Sequence, residues 1–298
     1  MINNNSHFRI GFHTGAFNSA YISFIQAVEW AEKHEIHNIE CGYVDGVTWN
    51  HGLGYFPHIA SWQDPIMIKD FLAEKNVKLS QIDAAFPISG KDGAAIAVPY
   101  IVNTIRWAAL AGCEMVDTTD GLYMPEGMSV TEAMLQMKLC YQQVMEIADR
   151  YGIVVNIETH GFFTGKPDLL DEMLNFSDSN LLKLNFDTGN VYIAGQDPVK
   201  FLQRFIHKVS HLHIKDVAPE RSKESRGKEF GIGMSHCAVG DGVNADSVRQ
   251  CMLMLGEFGF EGDISIECEA AGGVLMERSI SWVRKTLDEL GISHDIGV

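Results

Sequence analysis

The chain has 298 residues, of which 46% are hydrophobic, and its formal net charge is −16 at neutral pH. A mean hydropathy of −0.02 together with this apolar content is typical of a globular protein with a substantial core. The acidic balance argues against a nucleic-acid-binding protein, because such proteins normally present a basic face to the phosphates.

The N-terminal sequence MINNNSHFRIGFHTG lacks the charged start and the apolar stretch of a secretory signal peptide. No apolar run approaches the roughly 18 residues that are needed to span a bilayer. The six cysteines are dispersed and form no CxxC pair. We therefore expect a cytoplasmic protein without disulfide bonds and without a membrane partner.

A short β-type run followed by a longer helical pattern recurs eight times along the chain. In chain order the strand candidates are FRIGFHTG, HNIECGY, VKLSQIDAAF, EMVDTTD, GIVVNIETHG, LLKLNFDTGN, VSHLHIKDV and GDISIECEA. Two of the helices have clear start signals. Ser129 and Glu132 form a capping-box pattern, and Asp197 is an N-cap candidate directly before Pro198.

These eight units predict the fold. Strands that alternate with helices pair in parallel and are joined by right-handed crossovers. Eight units fit a (β/α)8 TIM barrel better than an open doubly wound sheet, and no GxGxxG follows the first strand. The prediction is an α/β protein in which residues 1–298 form a single TIM-barrel domain.

The last four predicted strands each end on a residue of metal-ligand type: Glu158, Asp187, His213 and Glu267. Because the C-terminal ends of barrel strands surround one mouth, these side chains are expected to converge. One carboxylate at a strand end is more often a helix cap or an ion-pair partner. Three converging carboxylates, however, repel one another unless a cation lies between them. The pattern therefore predicts a site for one divalent cation.

The predicted ligand set limits the metal. Three carboxylates and one imidazole favour Mn²⁺, with Mg²⁺, Co²⁺ or Zn²⁺ as alternatives. Cys268 follows Glu267 directly, but the alternation of side chains along a strand directs it to the opposite face.

At these residues the chain resembles the xylose-isomerase-like TIM-barrel superfamily, which contains sugar phosphate isomerases and epimerases such as the tagatose 3-epimerase-like proteins. The resemblance covers essentially the whole chain and lies in IETHG, NFDTGN, HLHIKD, VGDG and GDISIE. It implies a metal held by Glu158, Asp187, His213 and Glu267, with the two glutamates also serving as acid and base. An ion that holds a carbonyl oxygen and the neighbouring hydroxyl acidifies the adjacent C–H and stabilises an enediolate.

The chain departs from this family at two positions. Asn190 stands three residues after the ligand aspartate, where many epimerases and the three-zinc nucleases of the superfamily have histidine. Met234 stands where those nucleases have the aspartate of an Asp-x-His pair, so that only His236 remains. These differences predict a mononuclear site and argue against nuclease activity. They also place an ordinary ketose-epimerase activity in question.

The predicted function is a divalent-metal-dependent sugar isomerase or epimerase that removes a proton next to a carbonyl. The alternative is a lyase of the same superfamily, which dehydrates a keto-polyol or eliminates an aglycone from a 3-oxo-glycoside, as in the large subunit of C-glycoside deglycosidases. A non-catalytic carbohydrate-binding barrel would not need both Glu158 and Glu267. We expect a small-molecule carbohydrate substrate and a homo-oligomer, or a hetero-oligomer with a small subunit if the protein is a deglycosidase.

Further candidate residues lie near the predicted ligands. His160 shares a face with Glu158 and is a candidate for catalysis, with a loop hydrogen bond as the alternative. The candidates for substrate binding are His13, Asn190, Lys215 and His236. Lys215 either steadies an oxyanion or forms a salt bridge. Asp117 and Asp120 either bind sugar hydroxyls or cap the next helix.

Two long loops complete the prediction. The loop at 44–65 is rich in aromatic residues and glycine, and it either covers the mouth, packs on its own core or contacts another subunit. The loop at 217–236 carries four basic residues, which either bind a phosphate or form a solvated surface.

Overall fold

The structure, a computed structural model, describes residues 2–3, 5–20, 22–46, 57–228, 230, 235–268 and 272–295. Its strands are β1 His7–His13, β2 Asn38–Val44, β3 Ile59–Ala60, β4 Lys78–Pro87, β5 Met115–Thr119, β6 Val154–Glu158, β7 Leu182–Asp187, β8 Val209–Ile214, β9 Glu261–Ile266 and β10 Ser293–His294. Its α-helices are α1 Phe24–Lys33, α2 Pro65–Glu74, α3 Val98–Ala111, α4 Val130–Tyr151, α5 Pro167–Met173, α6 Thr188–Ile193, α7 Pro198–Phe205, α8 Pro219–Ser225, α9 Ala245–Phe258 and α10 Gly273–Leu290.

Eight of these strands form a closed parallel barrel. The order around the barrel is β1, β2, β4, β5, β6, β7, β8 and β9, and β1 closes the ring by pairing with both β2 and β9. The two-residue strands β3 and β10 lie outside the ring, beside β2 and beside the start of β1. Helices follow the barrel strands along the chain and surround the sheet, so the predicted (β/α)8 TIM barrel is confirmed.

The two helix start signals that the sequence predicts are present. The Ser129 hydroxyl accepts a hydrogen bond from the Glu132 N–H at 3.3 Å, and the Glu132 carboxylate accepts one from the Ser129 N–H at 2.8 Å. This capping box opens the long helix α4. Asp197 caps α7, with Pro198 at its first turn. Both caps satisfy backbone N–H groups that have no partner within the helix.

The outward face of the barrel is apolar and packs against the helices. The ring of Phe12 on β1 contacts that of Trp30 on α1 at a centroid distance of 5.4 Å, and Phe186 on β7 contacts Phe201 on α7 at 6.1 Å. These aromatic side chains fill the layer between sheet and helices. The period-two alternation of the strands therefore turns their other residues towards the barrel axis.

The inward face carries many polar side chains, which are buried. Glu40, Gln81, Asn156, Asn185 and His211 are all fully buried. Glu40 of β2 reaches His211 of β8 across the barrel at 3.8 Å between carboxylate oxygen and ring nitrogen. A polar network therefore occupies the axis of the barrel below its C-terminal mouth.

One helical stretch among the described residues, Gly93–Ala111, is long and apolar enough to span a membrane by length and composition, and 56% of it is buried within this structure. It contains α3, which packs against its neighbouring helices and against β4 and β5. Of the aromatic- and glycine-rich loop at 44–65, residues 47–56 lie outside the described part of the chain, as does Met234.

Candidate metal centre

Four side chains from consecutive strands meet at the C-terminal mouth of the barrel. Glu158 and Asp187 are the last residues of β6 and β7, His213 is the penultimate residue of β8, and Glu267 directly follows β9. One ligand atom from each of the four lies within 4.8 Å of the others. The structure thus brings together all four side chains that the sequence predicts as metal ligands.

The imidazole of His213 points its Nδ1 atom at the other three side chains of this group. Nδ1 lies 3.2 Å from Glu158 Oε1, 3.6 Å from Glu267 Oε2 and 3.9 Å from Asp187 Oδ2. Nε2 faces the opposite way and lies 2.8 Å from Glu40 Oε2. One ring nitrogen therefore faces the three carboxylates, while the other is held by a fourth.

Asp187 has two separate tasks, one for each carboxylate oxygen. Oδ1 accepts hydrogen bonds from the backbone N–H groups of Gly189 and Asn190 at 2.7 and 2.8 Å, and it thereby caps α6. Oδ2 is buried and accepts no hydrogen bond of good geometry from the described residues. It lies in the ligand group, 3.2 Å from Lys215 Nζ. The cap and ligand interpretations of this residue are therefore compatible.

The electrostatics of the group suit a cation. Burial raises the pKa of Asp187 to about 7 although Lys215 opposes the shift, so a further positive charge beside this carboxylate would favour its ionised form. Burial also acts to raise the pKa of Glu158, but His160 and His213 outweigh it and lower that pKa well below its usual value. An oxygen-rich donor set with one imidazole and an unsatisfied buried oxygen fits a divalent metal.

Lys215 and Asn190 complete the wall of the site. Lys215 Nζ lies 2.7 Å from Glu267 Oε2 and donates to Asn190 Oδ1 at 3.2 Å, while Asn190 Nδ2 donates to Glu158 Oε1 at 3.2 Å. Of the two interpretations of Lys215, the structure shows the salt bridge. A Cβ on Gly189 would lie 2.5 Å from Lys215 Cγ, so this glycine gives the lysine the space to reach the carboxylates.

His160 lies beside Glu158, as the sequence suggests. His160 Nδ1 is 2.5 Å from Glu158 Oε2, and this carboxylate raises the pKa of the imidazole although burial opposes it. The loop that carries His160 is fixed by Asp120, whose Oδ2 accepts hydrogen bonds from Phe163 N and Thr164 N at 2.6 and 3.2 Å. Asp120 therefore anchors a loop and does not cap the next helix.

The remaining candidates take different places. His13 lies at the mouth, with Nδ1 3.9 Å from Glu267 Oε1. Asp117 is buried, accepts a hydrogen bond from Asn185 Nδ2 at 3.2 Å, and has a pKa that burial raises well above its usual value. His236 is exposed, has a positive φ of 55°, and forms no hydrogen bond or ion pair with the four candidate ligands within the described part of the chain.

Two basic residues of the loop at 217–236 contact other groups of the protein. The guanidinium of Arg226 lies 4.0 Å from the centroid of the Tyr192 ring, and Lys228 Nζ donates to the backbone oxygens of Lys223 and Glu224 at 3.3 and 3.1 Å. These contacts favour the solvated-surface interpretation over a phosphate site.

Sequence reasoning missed Glu40. It lies in β2, is fully buried, and binds His213 Nε2 and Gln81 Nε2, the latter at 2.8 Å through Oε1. A carboxylate in the apolar run HNIECGY is the signal that could have identified it. Glu40, His211 and His213 also form a second group of metal-ligand type.

The sequence matches the family described as "Xylose isomerase-like TIM barrel" over residues 28–286. The chain belongs to this family. The enzymes of this superfamily include epimerases and dehydratases. Membership therefore identifies the superfamily, but it does not decide between isomerisation and elimination.

Curated relatives match shorter stretches. Inosose dehydratase of Clostridium botulinum (strain Alaska E43 / Type E3) is 30% identical over 105 residues, which is 34% of this chain and 35% of the relative. Inosose dehydratase of Clostridium tetani (strain Massachusetts / E88) is 23% identical over 137 residues, 44% of this chain and 43% of the relative. The chain thus spans well under two thirds of these relatives.

Solved structures share the fold over 93–95% of the chain. A D-tagatose 3-epimerase-like protein superposes with a TM-score of 0.74 at 20% identity and covers 95% of this chain and 98% of its own. The IOLI protein with a binding zinc atom gives 0.71 at 15% identity, with 95% and 97% covered. The probable 3-DHS dehydratase AsbF of Bacillus anthracis gives 0.68 at 16% identity, with 93% and 98% covered.

Proposed function

We propose that this protein is a divalent-metal-dependent enzyme that removes a proton next to the carbonyl group of a sugar or related polyhydroxylated ketone. Isomerisation or epimerisation is the first proposed outcome. The observation that carries the proposal is the convergence of Glu158, Asp187, His213 and Glu267 on one point at the barrel mouth. Two of these ligands are glutamates from non-adjacent strands, β6 and β9.

The four ligands would hold the cation. When bound, a divalent cation would polarise a carbonyl group and lower the pKa of the adjacent C–H. We propose Mn²⁺ on the basis of the oxygen-rich donor set, and the zinc atom of a solved neighbour keeps Zn²⁺ as an alternative together with Mg²⁺ and Co²⁺.

The protein's own side chains supply the proton transfers. Glu158 and Glu267 both have lowered pKa values although burial opposes the shift, so both are ionised at neutral pH and able to accept a proton. His160 holds one oxygen of Glu158, and Lys215 holds one oxygen of Glu267. Each glutamate thus has a cationic partner that keeps it ionised between turnovers and orients it towards the substrate.

Elimination is the second candidate outcome, and a separate observation favours it. The curated relatives reported above are inosose dehydratases, whose substrate is a cyclic keto-polyol by its name. Asn190 in place of the epimerase histidine and the extra proton donors His160 and Lys215 are compatible with loss of a β-substituent. A 3-oxo-glycoside substrate belongs to the same reaction class, and a small partner subunit would then be expected.

The experiment that tests the proposal is solvent-deuterium incorporation into ketoses, inososes and 3-keto-glucosides, with Mn²⁺ and with EDTA. Label in recovered or isomerised sugar supports the isomerase outcome, and an unsaturated product or released aglycone supports elimination. Absence of exchange with every substrate in the presence of each metal contradicts the proposal.

The matched variants are Glu158→Gln at the site and Glu172→Gln on the exposed surface of α5. We expect Glu158→Gln to lower the exchange rate by about a hundredfold or more, because it removes a metal ligand and a proton acceptor together. Glu172→Gln should leave the rate unchanged.

A further inference from the structure

His13 and Asp83 form a second polar pair at the barrel mouth. His13 lies between Asp83 and the candidate metal ligand Glu267. Asp83 is in β4, and its side chain is 17% exposed, while that of His13 is 10% exposed. Asp83 Oδ2 is 3.9 Å from His13 Nε2, and His13 Nδ1 is 3.9 Å from Glu267 Oε1. One imidazole therefore lies between Asp83 and the ligand group.

The hydrogen-bond pattern fixes the tautomer of His13. The backbone N–H of Gly15 points at His13 Nδ1 at 3.0 Å, so Nδ1 is the acceptor. The ring hydrogen then lies on Nε2, and this N–H is directed towards Asp83 Oδ2. The donor and the acceptor are too far apart for a direct hydrogen bond, and both are partly open to the mouth.

Asp83 makes no structural contribution that would explain a carboxylate here. Its side chain accepts no hydrogen bond and pairs with no lysine or arginine in the part of the chain that the structure describes. Its Cα partner on β5 is another carboxyl residue, Asp117. Burial raises the pKa of Asp83 to about 7, so the fold does not gain from an ionised carboxylate here. Groups of this kind concentrate at functional sites.

The distance of 3.9 Å between His13 Nε2 and Asp83 Oδ2 suits a hydroxyl group that bridges the two atoms. A hydroxyl oxygen within about 2.8 Å of both atoms can accept from His13 Nε2 and donate to Asp83 Oδ2. A carbon chain that carries several hydroxyl groups has such a group on the carbons beyond the reacting carbonyl.

We propose that Asp83 and His13 form a binding site for one hydroxyl group of a polyhydroxylated carbonyl substrate, beside the metal centre. This inference rests on the proposed function, because it assumes that such a substrate reaches the mouth. It assigns Asp83, which no sequence pattern singled out, to substrate binding, and it gives His13 a partner.

The test compares wild-type protein with Asp83→Asn, loaded with Mn²⁺, using the ketose of the panel that exchanges fastest and its single-deoxy derivatives. We expect Asp83→Asn to raise the KM of deuterium exchange roughly 10- to 100-fold, the usual value of a hydrogen bond to a charged group. The metal dissociation constant and the Tm should stay unchanged. For the one deoxy derivative that lacks the bound hydroxyl, variant and wild type should have equal KM.

His13→Asn should show the same dependence on that one hydroxyl, and Asp178→Asn on the exposed surface should match wild type throughout. If wild type exchanges and Asp83→Asn has the same KM for every sugar, the inference is wrong and the proposed function stands. A loss that is equal for all deoxy derivatives, or a weakened metal affinity, also contradicts it. If wild type exchanges no substrate, the proposed function and this inference fail together.

Discussion

Single residues in this protein combine roles that sequence patterns treat as alternatives. Asp187 caps α6 with one oxygen and presents the other to the ligand group. His213 faces the three carboxylates with Nδ1 and Glu40 with Nε2. A carboxylate that accepts the outer ring hydrogen of a ligand histidine fixes the tautomer in which the inner nitrogen can bind metal. Glu40 therefore orients His213, and Asn185 Nδ2 lies 3.0 Å from the same ring nitrogen.

The change Glu40→Gln tests this role. We expect the affinity for Mn²⁺ to fall roughly 10- to 100-fold, because the amide no longer selects the Nδ1-unprotonated tautomer of His213. Competition with a fluorescent chelator gives the dissociation constant without any substrate. The exposed Glu261→Gln is the matched control and should bind metal as wild type does.

The same measurement distinguishes a second possibility. Glu40, His211 and His213 are themselves of metal-ligand type and could form a second metal site. The Glu40 carboxylate, however, already lies at hydrogen-bond distance from His213 Nε2 and from Gln81 Nε2, at 2.8 Å in each case. We therefore expect one metal ion per chain. Two ions per chain in wild type, or unchanged affinity in Glu40→Gln, would contradict the orienting role.

At the scale of elements, buried polar side chains hold the loops that follow the strands. Asp120 anchors the loop after β6, and His58, next to β3, joins the ends of β1 and β2. His58 Nδ1 accepts a hydrogen bond from Gly42 N at 3.1 Å, and the Thr14 hydroxyl oxygen lies 3.2 Å from the same nitrogen. Burial lowers the pKa of His58 to about 3, so the imidazole is neutral.

This burial predicts a pH dependence of stability. The pKa of His58 is 6.5 in the unfolded chain and about 3 in the folded one. Its contribution to the free energy of unfolding is therefore fully present above pH 6.5 and is lost as the pH falls towards 3. Between about pH 7 and about pH 5 the loss is roughly 2 kcal/mol. His58→Asn keeps an acceptor for Gly42 but does not titrate.

We therefore expect the difference in unfolding free energy between the two pH values, measured with urea, to be about 2 kcal/mol smaller in His58→Asn than in wild type. The same substitution at the exposed His207 should leave the difference unchanged. An equal difference in wild type and His58→Asn would show that His58 does not stay neutral when folded.

At the scale of the whole molecule, the closed barrel concentrates buried carboxylates at one end of an acidic chain. The ligand group alone contains three, and Asp83 and Asp117 lie on neighbouring strands. His213 and Lys215 offset part of this charge. A cation that binds only the folded protein should therefore raise its free energy of unfolding.

Metal removal tests this expectation. Mn²⁺ at a hundredfold excess over its dissociation constant should add about 2.7 kcal/mol of stability and raise the Tm by about 4 °C for a chain of this size, with EDTA reversing the shift. Asp187→Asn should reduce the shift strongly, whereas Asp178→Asn on the exposed surface should keep it. An identical shift in wild type and Asp187→Asn would mean that the ion binds elsewhere.

The sequence by itself determined the eight strand–helix units, the parallel barrel and the four candidate ligand positions, because these depend on local periodicity and on the rule that barrel strands end at one mouth. Only the tertiary structure decided which atoms meet there. Glu40 and Asp83 lie inside strands that read as ordinary barrel strands, and their neighbours, His213 and His13, are distant in sequence. Closure of the barrel brings these residues together in space. A sequence pattern along the chain does not reveal contacts between strands that are distant in sequence.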